Sequence, residues 1–304
     1  MTDLILHHFD WSPFAEKARL VFGLKGLAWR SVQIPMITPK PDLTPLTGGY
    51  RKTPVLQIGA EVYCDTRLIA RELQRRHPSP TLFPGGHRGI GLALSHWSDT
   101  AFFEPGAALS MALAREVPEA VIEDRKAFFA FMDFSRLTQD IPHMSTQLRA
   151  NAALLEQQLS DGRAYLLGAE PGWADITAYF PLWMARTFVP SSRELLADNT
   201  RTSAWEDRMR AMGHGQRSDI DSQAALDVAR AAAPDLDQRI DPADPLGLKA
   251  GERVTVSPTD YGKVPVSGEL LVLELDEVAI LRSDPRVGEV VTHFPRIGYR
   301  IERC

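Results

Sequence analysis

A strand, a capped helix and a second strand open this chain, and that order constrains its fold more than any other feature. Residues 4–9, LILHHF, read as a short strand. Ser12 and Pro13 follow, a hydroxyl at an N-cap and a proline at the first helical position, a pairing that favours a helix start. Phe14, Ala18, Val21 and Phe22 recur at helical spacing and define one buried face, and Gly26 closes the helix. Residues 29–34, WRSVQI, alternate as a strand. Two parallel strands joined by a helix require a right-handed crossover. A loop rich in Pro, Thr and Gly runs to Arg51; then 54–58 (PVLQI) and 61–64 (EVYC) form a hairpin about Gly59-Ala60, and Asp65 and Thr66 open a helix to about Arg76. A small sheet with helices on both faces is expected over residues 1–78.

The pattern then changes twice. HPSPTLFPGG (77–86) is a Pro/Gly linker. From His87 to about residue 233 the apolar residues recur at helical period, which predicts an all-α domain, with a kink or break at Pro181. From 246 to 304 short β-like runs alternate with turn signals such as DYGK and SDPRVG. A compact all-β domain of about five strands, of the SH3-like or a similar kind, is expected there.

Composition narrows the function. A net charge of −5 over 304 residues, with eight Lys/Arg against nine Asp/Glu in 246–304, argues against a nucleic-acid partner. No uncharged apolar run approaches the roughly 20 residues of a membrane span, so no membrane partner is expected. MTDLILHH has no basic start and no cleavage signal, so no secretion is expected. With only Cys64 and Cys304, a disulfide framework is not expected and a cytoplasmic location is favoured. No metal is expected either: His7 and His8 are adjacent and, on a strand, point to opposite faces.

SPFAEKARLVFGLKG, KTPVL and CDTRLIARELQRRHP, in that order and spacing, resemble the thioredoxin-like domain of glutathione transferases. LLGAEPGWADITAYF resembles the segment leading into the core helix of their helical domain. The resemblance covers about three quarters of the chain and implies an α/β thioredoxin-like domain followed by an all-α domain, with the C-terminal β-domain as an addition. It also implies a glutathione transferase, with glutathione as co-substrate, a small, partly apolar electrophile as second substrate, a role in detoxification and a homodimer.

The same resemblance implies the site residues. Ser12 suits an N-cap; on the resemblance its hydroxyl also donates to the glutathione sulfur and favours the thiolate. SPFAEKARLV is most similar to the omega type, in which a cysteine stands where this chain has Ser12. Serine cannot form a mixed disulfide, so reductase chemistry is disfavoured. A cis Thr53-Pro54 peptide would turn Val55 toward the ligand, to pair with its cysteinyl backbone. Asp65 and Thr66 suit a helix cap and, on the resemblance, hold the γ-glutamyl amino and carboxylate groups. Lys52, with Arg51, would reach the glycyl carboxylate, or simply form a solvated basic turn. Cys64 reads as a small buried hydrophobe, His8 as a packed histidine, and Asp175 as a folding residue whose usual capping partner is replaced by Gly172. Trp11, Trp97, Phe102 and Phe103 are candidates for an apolar pocket between the first two domains, or simply core. For residues 246–304 three roles stay open: covering the active site, supporting a dimer, or binding a partner. The alternative to an enzyme is a non-catalytic glutathione-binding or scaffold protein that uses this β-domain for partner interaction.

Overall fold

The computed structural model describes residues 3–114 and 117–304. They divide into two compact units: one gathers the chain up to Ala18, Leu27–Arg76 and Gln216–Cys304, the other Arg19–Gly26 and His77–Gly215.

The opening βαβ forms as expected. Strand β1 (Ile5–His8) leads into α1 (Pro13–Leu24) and then β2 (Ala28–Gln33), which pairs parallel with β1. After the short α2 (Thr44–Thr47) come β3 (Val55–Ile58) and β4 (Glu61–Cys64), turned about Gly59 at φ 65°, a left-handed conformation that glycine tolerates without cost. Helix α3 (Thr66–Arg76) follows directly.

The second unit is helical: α4 (Arg88–Trp97), a π-helical turn at Ser98–Phe102, α5 (Phe103–Leu113), α6 (Glu119–Phe128), α7 (Ile141–Gln158), α8 (Trp173–Phe188), α9 (Ser192–Leu195) and α10 (Thr200–Ala211). Phe102 and Phe103 are buried in it, Phe103 stacking on Phe180 with ring centroids 5.8 Å apart. Helix α8 runs through Pro181 without a break. Every residue from Trp173 to Leu182 is buried, so packing on all sides holds the helix across the one lost hydrogen bond.

The helical run ends earlier than the sequence pattern indicates. Gln216–Asp219 is a strand, β5, pairing parallel with β2, and α11 (Ser222–Ala231) belongs with the sheet. QRSD is exposed at all four positions, so no alternation of apolar residues marks it.

The C-terminal region is all β, with β6 (Arg239–Ile240), β7 (Arg253–Pro258), β8 (Val266–Leu273), β9 (Glu277–Asp284), β10 (Gly288–Pro295) and β11 (Tyr299–Arg303). Composition sets it apart, but hydrogen bonding does not. Strand β10 pairs parallel with β4, in the register Val291–Glu61, Thr292–Val62 and His293–Tyr63. One sheet results, in the order β11-β7-β8-β9-β10-β4-β3-β1-β2-β5, with β6 beside β8. Its core is also shared: Ile5, Val55 and Val62 pack in one apolar cluster with Val256, Ile280 and Phe294.

Candidate functional site

The topology gathers the expected site residues at one edge of the sheet. Strand β3 lies between β1 and β4 and is antiparallel to both, with His7, Val55 and Cys64 in register. The end of β1, the start of β3 and the end of β4 therefore coincide. From that edge the chain enters α1 through Ser12, β3 through Thr53-Pro54, and α3 through Asp65 and Thr66. Two helix N-termini thus stand beside the start of a strand, at the carboxyl ends of parallel strands where α/β sheets place their ligands.

Ser12 is buried and caps α1. Its Oγ accepts from the Ala15 N–H at 3.2 Å, and its own N–H donates to the Phe9 carbonyl at 3.0 Å. The capping bond uses an oxygen lone pair, not the O–H. The Thr53-Pro54 peptide is cis, as the resemblance implies. The Thr53 hydroxyl accepts from Lys40 Nζ at 2.9 Å. Thr66 is buried in the first turn of α3.

Asp65 adopts a left-handed backbone at φ 74°, which Asp tolerates better than most residues. Its carboxylate accepts from the Arg67 N–H at 2.9 Å, an N-cap bond, and from the Arg67 guanidinium at 3.4 Å. The Tyr299 hydroxyl donates to the same carboxylate at 3.3 Å and lies 2.9 Å from the Tyr50 hydroxyl. Burial raises the Asp65 carboxyl, but the Arg67 and Lys52 cations outweigh it and bring it down to about 2. Burial pushes the Tyr50 and Tyr299 phenols well up, so both remain neutral donors.

Lys52 is the site residue whose surroundings the sequence did not reveal. Its Nζ donates to both Asp260 carboxylate oxygens, at 2.6 and 2.8 Å, and sits 4.2 Å from the centre of the Tyr261 ring. Arg67 also donates to the Ile297 carbonyl at 3.1 Å. The segments 259–265 and 296–299 thus reach residues 52, 65 and 67. DYGK reads from sequence as a turn and nothing more. Only the β4–β10 pairing brings Asp260 and Tyr299 here, and no local signal could have found them.

The other singled-out residues have structural surroundings. Cys64 is fully buried and its thiol is pushed well up by burial. His8 is buried, with Nε2 3.0 Å from the Ser31 hydroxyl and its ring 5.5 Å from Trp29. Asp175 accepts from the N–H groups of Gly172 at 3.0 Å, Leu166 at 2.8 Å and the Trp205 indole at 2.9 Å. A Cβ on Gly172 would stand 2.7 Å from Pro84 Cδ and 2.8 Å from the Leu82 carbonyl oxygen, so the glycine makes room for a close approach. Trp97 stacks on Phe102 and donates to Asn151, while Trp11 is 65% exposed.

Among the described residues, no group of three His, Cys, Asp or Glu could hold a metal ion, and no helix is long and apolar enough to cross a membrane.

Family profiles for the glutathione S-transferase N-terminal and C-terminal domains match residues 6–81 and 120–208. A crystal structure described as a GST-like protein from Pseudomonas syringae is 39% identical with a TM-score of 0.82, and the match covers 100% of both chains, the C-terminal sheet included. Poplar glutathione transferase F1 shares the fold at a TM-score of 0.52 and 14% identity, over 69% of this chain and 92% of its own. Glutathione S-transferase U4 of Arabidopsis thaliana is 23% identical over 133 residues, which are 43% of this chain and 59% of that protein's length.

Proposed function

We propose, from the premise that the chain belongs to the glutathione S-transferase family, that it is a glutathione transferase of the thiolate-stabilising kind. Glutathione lies along the sheet edge that gathers Ser12, Val55 and Asp65, and that convergence carries the reading. The Thr66 hydroxyl and the α3 N-terminus take the γ-glutamyl carboxylate, and Asp65 takes its ammonium. Val55, after the cis Thr53-Pro54 bond, pairs with the cysteinyl backbone, and Lys52 faces the glycyl end.

At the sulfur, the Ser12 O–H and the N-terminus of α1 favour the thiolate over a thiol with an unperturbed pKa of about 8.5. The proton leaves to solvent, and the thiolate forms a carbon–sulfur bond to a small, partly apolar electrophile whose leaving group departs with its electron pair. Ser12 stands where the similar omega-type sequences carry cysteine, so thiol–disulfide exchange is not part of this chemistry. A cytoplasmic homodimer acting in detoxification is part of the same reading.

Ser12→Ala keeps glutathione binding but loses the bound thiolate's ultraviolet absorbance and about a hundredfold in turnover of an activated aryl halide. Unchanged turnover in that variant would remove Ser12 from the chemistry. Glutathione binding without turnover on a broad electrophile panel would instead favour a scaffold that uses the C-terminal strands for partner interaction. The shared sheet and core weigh against that reading, because they make those strands part of the glutathione-binding unit rather than a detached module.

A further inference from the structure

We infer that Tyr299, on β11, is a positioning residue of the glutathione site: its hydroxyl aims the Asp65 carboxylate at the γ-glutamyl ammonium. The inference rests on the proposed placement of glutathione, with Asp65 at that ammonium.

Asp65 does not meet a ligand as a bare charge. Its Oδ1 accepts the Arg67 N–H at 2.9 Å, and the Arg67 guanidinium donates to both carboxylate oxygens at 3.4 Å. The guanidinium bonds are longer than the roughly 2.7–3.2 Å of a firm N–H···O contact. Arg67 Nη2 makes its shorter bond to the Ile297 carbonyl, at 3.1 Å. The carboxylate is thus ion-paired but loosely gripped, and its recognition of an ammonium turns on where its lone pairs point more than on net charge. The backbone bond anchors Oδ1 and leaves the group free to turn about it.

Tyr299 acts on the other oxygen. The pairing of β10 with β4 ends just short of Asp65, at His293–Tyr63, and the chain then turns and brings Tyr299 back to it. The Tyr299 hydroxyl donates to Asp65 Oδ2 at 3.3 Å. Having spent its one O–H there, Tyr299 accepts from the Tyr50 hydroxyl, 2.9 Å away. The hydrogen bonds run in one direction, from Tyr50 through Tyr299 to Asp65, and each polarises the next. Packing sets that direction. Tyr50 and Tyr299 are both buried against Phe294, with ring centroids 5.8 and 5.7 Å from it. Burial pushes both phenols well up, so each keeps the proton it donates. A rigid hydroxyl from the last strand therefore fixes the plane of a carboxylate that the helix cap alone leaves free to rotate.

The test compares glutathione with its desamino analogue, glutaryl-cysteinyl-glycine, by calorimetric titration of the full chain, of Tyr299→Phe and of Tyr50→Phe. Phenylalanine keeps the ring and deletes only the hydroxyl. The wild-type protein prefers glutathione. Tyr299→Phe weakens glutathione about fivefold and leaves the analogue unchanged, because the analogue has no ammonium for Asp65 to meet. Tyr50→Phe, which removes the hydroxyl behind Tyr299, moves the ratio the same way by about twofold. A general loosening of the site weakens both ligands alike. That result in Tyr299→Phe, or a glutathione affinity that the substitution leaves unchanged, overturns the inference and leaves the proposed function standing. Should Tyr299→Phe fail to fold, the ratio in Tyr50→Phe decides by the same criterion. Wild-type protein that binds both ligands equally overturns the inference together with the placement of Asp65. Wild-type protein that binds neither overturns the proposed function as well.

Discussion

Asp65 before α3 and Asp175 in the first turn of α8 both stand at helix starts, and their surroundings are opposite. Asp175 is 1% exposed and receives three N–H donors, two from backbone and one from Trp205. Burial pushes its carboxyl up even so. Asp65 also caps a helix, but burial is outweighed there by the Arg67 and Lys52 cations. One carboxylate is enclosed by groups that must be hydrogen-bonded for the chain to fold. The other is kept ionised by the cations beside it. The same residue type, given the same local job, is enclosed by uncharged N–H donors in one place and paired with cations in the other, and the neighbours decide which.

The contrast is most exposed to failure at Asp175. Asp175→Ala leaves two backbone N–H groups and a buried indole N–H without their acceptor, and an expected loss of about 3–5 kcal/mol follows, read as the shift in urea midpoint. Asp65→Ala should cost about 1 kcal/mol by the same measurement, the worth of a cap with a partly exposed ion pair, yet abolish retention on immobilised glutathione. Equal stability losses in the two variants would show that the contrast is not energetic.

Gly172→Ala sharpens the same comparison. The added methyl must displace Pro84 or the Leu82 carbonyl, and about 1–3 kcal/mol is expected from overpacking. A neutral outcome would mean that the glycine reflects no steric demand.

A smaller effect is expected where the C-terminal strands join the sheet. His293 lies between Glu277 and Glu61, 2.6 Å from each, and stacks on Tyr63 at 4.4 Å, while Arg71 of α3 pairs with Glu277 and with Asp276. Burial opposes the protonated ring, but the two carboxylates raise it above the ordinary value of 6.5. Its contribution to stability is therefore full below about pH 6.5 and is lost as pH rises through the raised folded value. Glu277 runs the other way. Burial opposes its charge, but His293 and Arg71 lower it from 4.5 to about 2, so its contribution is present above about pH 4.5 and lost as pH falls toward 2. Stability from this cluster should peak between about pH 4.5 and 6.5, and His293→Gln should flatten the alkaline side of the profile. An unchanged alkaline slope in that variant would remove His293 as its source.

Much of the site was legible because its signals are local. Ser12-Pro13 announces a helix start in two residues, and KTPVL followed by CDT carries the order of strand, turn and cap on its face. The cis bond at Pro54 was accessible only through the resemblance, since an X–Pro pair has no local mark of its isomer. β5 escaped because an edge strand exposed at every position has no periodicity to read. Lys52 read as a base that reaches a ligand carboxylate or stands in a solvated turn, and neither reading included Asp260, which lies 208 residues away in the chain.

The amino-acid sequence by itself determined most of the elements, their order and the caps at the starts of α1 and α3, because capping, periodicity and turn formation act within a few residues. Only the tertiary structure decided that the last strands continue the first sheet, and that their connections bring Asp260 to Lys52 and Tyr299 to Asp65. Backbone hydrogen bonds between strands carry no side-chain code, so nothing in β4 or β10 alone says that they pair. The electrostatic character of the site follows from that pairing, because a charge is set by whatever the fold brings within a few ångströms of it.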